Sequence, residues 1–206
     1  MFGILCFGDS ITFGVGEKLS RGWVGRLKDF HEPKDQFNYV FNLGFPGHDT
    51  NDILERIESE LKTRVRIKRD SDKFVIIIAI GTNDVRLSSE KIPRISEVQF
   101  EKNIQSLISI TRKYPAKVVF VSMPPVNETM TTPYEVYHYS NDRIQLFNKL
   151  IKETCESEKI LFLDVFSEFM NKNYSQLLED GLHPNSDGYD FMYEKIKENL
   201  IEYKLV

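Results

Sequence analysis

Short apolar runs without polar alternation recur along the chain, and between them hydrophobic positions fall three and four residues apart. The runs predict strands at Gly3–Phe7, Tyr39–Leu43, Phe74–Ile80, Lys117–Ser122 and Ile160–Val165. Unbroken hydrophobicity is what a strand shows when both faces of its sheet are covered, the usual situation of a parallel sheet. The intervening periodicity predicts helices over Trp23–Phe30, Asp52–Val65, Val98–Tyr114, Asp142–Glu158 and Asp187–Tyr203, with Leu107, Ile110 and Tyr114 marking one buried face. Strand and helix therefore alternate through the whole chain. Right-handed βαβ crossovers then give an α/β fold, a three-layer α/β/α sandwich on a five-stranded parallel sheet. No internal repeat or low-complexity linker interrupts the pattern, so residues 1–206 read as one domain.

Composition narrows the partners. With 206 residues, 41% hydrophobic and 28% charged, the chain can bury a core of ordinary size without disulfides or a structural metal. Cys6 and Cys155 lie far apart in no metal-ligand spacing, which suits two reduced, buried thiols. A net charge of −4 argues against nucleic acid or an anionic membrane held by bulk electrostatics. The basic cluster Lys62, Arg64, Arg66, Lys68 and Arg69 sits at a predicted helix end and reads as a solvated face. The apolar run Phe74–Ile80 is far shorter than the ~20 residues that span a bilayer, so stable membrane insertion is not expected. Met1–Phe7 has no basic n-region and no small-residue cleavage site, which leads to the expectation of a cytoplasmic protein.

Candidate chemistry gathers where the strands end. In a doubly wound sheet, ligands bind beyond the carboxyl ends of the strands, at the reversal of winding. The first strand ends in Gly8-Asp9-Ser10-Ile11-Thr12, the second in Asn42-Leu43-Gly44-Phe45-Pro46-Gly47, and the third in Gly81-Thr82-Asn83-Asp84. Before the last helix stands Asp180-Gly181-Leu182-His183-Pro184. An aspartate three residues before a histidine can accept from Nδ1 while Nε2 points outward, and Ser10 is the hydroxyl such a pair needs. Two other readings fit the same residues. Asp9, Asp84, Asp180 and His183 could hold a divalent metal for phosphoester hydrolysis, and a flavodoxin-like sandwich could bind a ligand without chemistry.

Gly8-Asp9-Ser10-Ile11-Thr12, Gly44, Gly81-Thr82-Asn83-Asp84 and Asp180-Gly181-Leu182-His183-Pro184, in this order from residue 8 to residue 184, resemble the blocks of the SGNH or GDSL hydrolases, a family of esterases, lipases, thioesterases and carbohydrate deacetylases. Ile11 stands where the family name has leucine. The resemblance implies a flavodoxin-like SGNH hydrolase fold and a serine hydrolase acting on a small-molecule carboxylic ester or thioester without a cofactor or metal. It further implies Ser10 as nucleophile, His183 as general base and acid, Asp180 as its orienter, and an oxyanion hole built from Ser10, Gly44 and Asn83. It gives no oligomeric state.

Two connections are longer than a compact domain needs, Gly8–Gly22 and Met123–Tyr139. The second carries Met123, Tyr134 and Tyr137 with few charges, and apolar rings with polar tips suit contact with an acyl chain or a sugar. Met123, Tyr134 and Tyr137 are thus candidate substrate contacts, together with Phe45 and His48 beside Gly44.

Overall fold

The computed structural model describes residues 1–206. Its parallel sheet has strands β1 (Phe2–Gly8), β2 (Asn38–Gly44), β3 (Lys73–Ala79), β4 (Lys117–Val121) and β5 (Leu161–Leu163), in the order β2-β1-β3-β4-β5. The helices are α1 (Ser10–Phe13), α2 (Gly22–His31), α3 (Thr50–Arg64), α4 (Glu97–Thr111), α5 (Glu128–Thr131), α6 (Asn141–Ser157), α7 (Val165–Met170) and α8 (Ser186–Glu202). Every strand and every long helix lies within three residues of its expected ends. The three short helices α1, α5 and α7 have no period to announce them, and all three lie in segments read as loops or strand ends.

The order of strands explains the layers. The chain first winds outward from β1 to β2 through α2, then jumps back over β1 and runs through β3, β4 and β5. Because each crossover is right-handed, reversing the direction of travel changes the face on which the helix lands. The residues of β3 divide accordingly. Phe74, Ile76 and Ile78 join one core with α3, α4 and α6, through Ile57, Ile104 and Phe147. Val75 and Ile77 join the other with α2 and α8, through Trp23, Leu27 and Ile196. Cys6 and Cys155 are buried, unbonded, on opposite faces, and burial pushes both thiols up from their ordinary range. No helix is long and apolar enough to cross a membrane.

The winding reverses between β1 and β3, which are direct neighbours with Gly8 opposite Ala79. Sheets of this order leave a crevice at that point because the two flanking connections depart to opposite faces. Ser10 leaves β1, and Asn83 leaves β3, at this crevice. Helix starts on its rim are fixed by carboxylates: Asp9 caps α1 through the Ile11 N–H, and Asp49 caps α3 with a reciprocal bond from Asp52.

Ile76 is wholly buried at the centre of the larger core, whereas Val98 on α4 is 64% exposed. Ile76→Ala is expected to cost about 2–5 kcal/mol of unfolding free energy and Val98→Ala within roughly 0.5 kcal/mol, as read by urea denaturation. Equal costs at the two positions would contradict the layer assignment.

Candidate active site

Three residues brought from the two ends of the chain form one hydrogen-bonded line. His183 Nε2 lies 2.9 Å from Ser10 Oγ, and His183 Nδ1 lies 2.7 Å from Asp180 Oδ2. A carboxylate can only accept, so Nδ1 carries the proton and Nε2 is left to accept from the serine hydroxyl. Ser10 and His183 are both buried, at 8% and 7% exposure.

The turn before α8 makes this possible. Asp180 Oδ1 accepts from the backbone N–H groups of Leu182 (3.0 Å) and His183 (2.8 Å), which closes the loop on its own side chain. Asn185 then caps α8 through Gly188 N–H. Burial alone would raise the Asp180 carboxyl, but the donors from the His183 ring, its backbone and Leu182 outweigh it and hold the group well below the usual carboxylate range. Asp180 is therefore ionised at neutral pH.

Asn83 is buried, and its Nδ2 donates to the His48 carbonyl at 2.9 Å. An amide nitrogen has two protons, so this bond fixes the group while leaving one proton unused.

The structure corrects the reading of Gly44. Its N–H is donated to Asn42 Oδ1 at 3.0 Å in an Asx-turn, so it is not free to meet an anion. Glycine is needed there for another reason, since a Cβ would meet Phe13 N at 2.3 Å and Thr12 C at 2.7 Å, the backbone that carries Ser10. Three residues on, Phe45-Pro46-Gly47-His48 closes a turn with His48 N–H on the Phe45 carbonyl at 3.2 Å. Proline second and a glycine at φ +84 third are the marks of a type II turn. The Gly47 N–H has no backbone acceptor and nothing stands within 4 Å of where its Cβ would be. Gly47 is the residue that sequence reasoning passed over, although Pro-Gly after a predicted strand was a visible signal.

The proposed substrate contacts divide. Phe45 is 58% exposed, is tied to the crevice by its N–H on the Gly8 carbonyl, and packs on His48 with ring centroids 4.3 Å apart and planes tilted by 36°. Burial, with Arg56 nearby, pushes the His48 imidazole down from its usual range. Met123 is a correction. It is buried in the larger core, its backbone held on both sides by Asn148, and it packs under Gly81. Tyr137 is covered by the Arg86 guanidinium, 4.1 Å above its ring. Tyr134 reaches the line of three residues itself, with its hydroxyl donating to Asp180 Oδ2 at 2.8 Å.

Asp9 and Asp84 bond to the first residues of helices, not to loop backbone. Asp9 Oδ1 accepts from Ile11 N–H, and Asp84 accepts from the N–H and hydroxyl of Thr50. No three His, Cys, Asp or Glu side chains converge closely enough to share a metal ion, so the arrangement expected of a metal-dependent phosphoesterase is not formed by Asp9, Asp84, Asp180 and His183.

Comparison with known proteins identifies the family. Residues 6–191 match the model of the GDSL-like Lipase/Acylhydrolase family. Uncharacterized protein YpmR of Bacillus subtilis is 27% identical over 94% of this chain and 79% of its own. An arylesterase of Vibrio mimicus is 21% identical over 97% of this chain and 88% of its own. Among solved structures, the lipase/acylhydrolase from Enterococcus faecalis superposes with a TM-score of 0.75 at 24% identity, covering 97% of this chain and 95% of that one.

The buried acids at the crevice carry a pH signature. Burial pushes the Asp84 carboxyl up to about 7 and Asp9 up to about 6, against the hydrogen bonds each accepts. A carboxyl raised on folding binds more protons folded than unfolded, so its contribution is present at low pH and is lost as pH rises through the folded value. His31 and His48, lowered by burial, act in the opposite sense, so the effect is read as a difference between proteins. Relative to the wild type, Asp84→Asn is expected to gain on the order of 2–3 kcal/mol in urea-unfolding stability between about pH 5 and pH 7.5. A difference that does not change with pH would show that Asp84 ionises freely.

Proposed function

We propose, for a chain that belongs to the GDSL-like lipase/acylhydrolase family and is an ester hydrolase, that it works through a covalent acyl-enzyme on Ser10. The observation that carries this reading is the unbroken contact from Ser10 Oγ through His183 to Asp180, at 2.9 and 2.7 Å. A serine hydroxyl is a weak nucleophile until a base takes its proton as it attacks. His183 Nε2 is within reach to do so, and the imidazolium that forms is stabilised by Asp180.

As Ser10 Oγ bonds to the acyl carbon, the carbonyl oxygen becomes an anion and needs fixed donors. We assign these to the backbone N–H groups of Ser10 and Gly47 and to the remaining proton of Asn83 Nδ2. Ser10 opens α1, where the first N–H groups have no acceptor inside the helix. The Gly47 N–H is equally uncommitted. Collapse of the intermediate passes the proton from Nε2 to the leaving alcohol, and water, deprotonated by the same nitrogen, releases the acid. A thioester enters the same route, since its thiolate leaves with less need of that proton.

Substrate is a small ester whose apolar part lies on exposed rings beside Ser10. Phe13, one turn after Ser10, is 40% exposed, and Phe45 is more so. Exposed aromatic faces at a catalytic crevice suit an acyl chain or a ring.

Against p-nitrophenyl acetate, Ser10→Ala is expected to lose at least about 10³-fold in kcat, and Asn83→Ala about 10²–10³-fold with little change in KM. Near-normal turnover by Ser10→Ala would overturn the proposal, and a pure KM effect in Asn83→Ala would remove it from the oxyanion hole.

A further inference from the structure

The carboxylate of Asp180 receives one donor more than the turn around it provides. Two backbone N–H groups occupy Oδ1 and the His183 ring occupies one side of Oδ2. The fourth comes from outside, from the Tyr134 hydroxyl on the same Oδ2 at 2.8 Å. The Tyr134 ring also stands edge-on to the His183 ring, centroids 6.2 Å apart. We infer that Tyr134 is a positioning residue for the acyl-transfer chemistry, holding the Asp180 carboxylate in the plane from which it orients His183 and binding the triad to the Met123–Tyr139 segment. This inference rests on the assignment of Ser10, His183 and Asp180 above.

Three features make the contact more than an accident of a surface side chain. The segment that carries Tyr134 is pinned on both flanks of the crevice. Asn127 N–H donates to the Gly181 carbonyl at 2.8 Å, next to Asp180, while His138 and Leu87 exchange backbone bonds at 2.9 and 3.0 Å, four residues after Asn83. Tyr134 and Tyr137 pair with each other through both backbone groups, so the tyrosine is held at the base of a tight reversal. Burial, then the hydrogen bond to Asp180 and its charge, push the Tyr134 phenol up from its ordinary range, so the hydroxyl keeps its proton and remains a donor.

The chemical effect has a definite sign. Tyr134 draws charge from the same oxygen that supports the imidazolium. Removing the hydroxyl leaves that oxygen more negative, which favours the protonated histidine and moves the acid limb of the rate profile upward. It also frees the carboxylate to rotate, which lowers kcat. The other titratable groups facing His183 and Asp180 are Asp9 on the loop after β1 and Tyr189 on α8. Tyr189 is committed to the Val15 carbonyl, and neither is altered by a change at position 134.

Tyr134→Phe keeps the ring and removes only the oxygen. With p-nitrophenyl acetate it is expected to lower kcat roughly 3–30-fold, leave KM within about twofold, and raise the acid limb of kcat/KM by roughly half a pH unit. Its thermal midpoint should stay within a few degrees of the wild type. Introduced into Asp180→Asn, the same change is expected to have no further effect on kcat, because the group through which it acts is gone. Additive losses in that double variant, an unmoved acid limb, or a change confined to KM and substrate ranking would each overturn the inference. Full activity in Ser10→Ala would instead overturn the underlying mechanism, so the two failures are told apart.

Discussion

Everything at the crevice depends on an ionised carboxylate held still in a half-buried place. Asp180 meets this constraint by taking donors on both oxygens: two backbone N–H groups on one, an imidazole and a phenol on the other. Burial by itself would favour the neutral acid, which could neither fix the imidazole tautomer nor stabilise its charge. The donors reverse that preference. Because they come from the turn before α8 and from the long connection after β4, the state of one carboxylate ties together segments that share no strand.

The sheet supplies the rest of the geometry. Ser10 and His183 are 173 residues apart, yet both sit on the carboxyl edge of the sheet beside the point where winding reverses. Close approach there is demanding. Gly44 packs against the backbone behind Ser10, and the neutral-leaning carboxyls of Asp9 and Asp84 lie in the same buried framework. The ionised acid lies against the His183 ring, where the proposed chemistry would use its charge, and the two that burial discourages from ionising bond to the first residues of α1 and α3. That division follows from how many donors each group can reach.

Much of this was legible in the sequence, for reasons that can be named. Strands buried on both faces must be continuously apolar, and long helices must keep one face apolar, so the layers follow from periodicity. Ser10 and Asn83 were visible as polar blocks at strand ends, and Asp180 and His183 as a block before the last helix. Gly44 misled because which N–H is free depends on a side chain, Asn42, two residues earlier, and on how the Pro46-Gly47 turn aims its backbone. Met123 misled because a residue just past a strand can still lie in the core. Tyr134 carried the right signal, an aromatic ring near the site, but whether its hydroxyl faces a substrate or Asp180 depends on pairing between Leu87 and His138 that no local pattern encodes. The helices α1, α5 and α7 span too few turns to show a period.

The central claim is that Ser10 attacks while Ser10, Gly47 and Asn83 receive the charge. A crystal structure of the enzyme inactivated by a methyl phosphonate ester tests it most directly, because the tetrahedral phosphorus stands in for the acyl carbon of the intermediate. The account predicts phosphorus bonded to Ser10 Oγ, with the phosphonyl oxygen about 3 Å from the Ser10 and Gly47 backbone nitrogens and from Asn83 Nδ2. Phosphorus on another residue, or a phosphonyl oxygen turned away from these three donors, would contradict it.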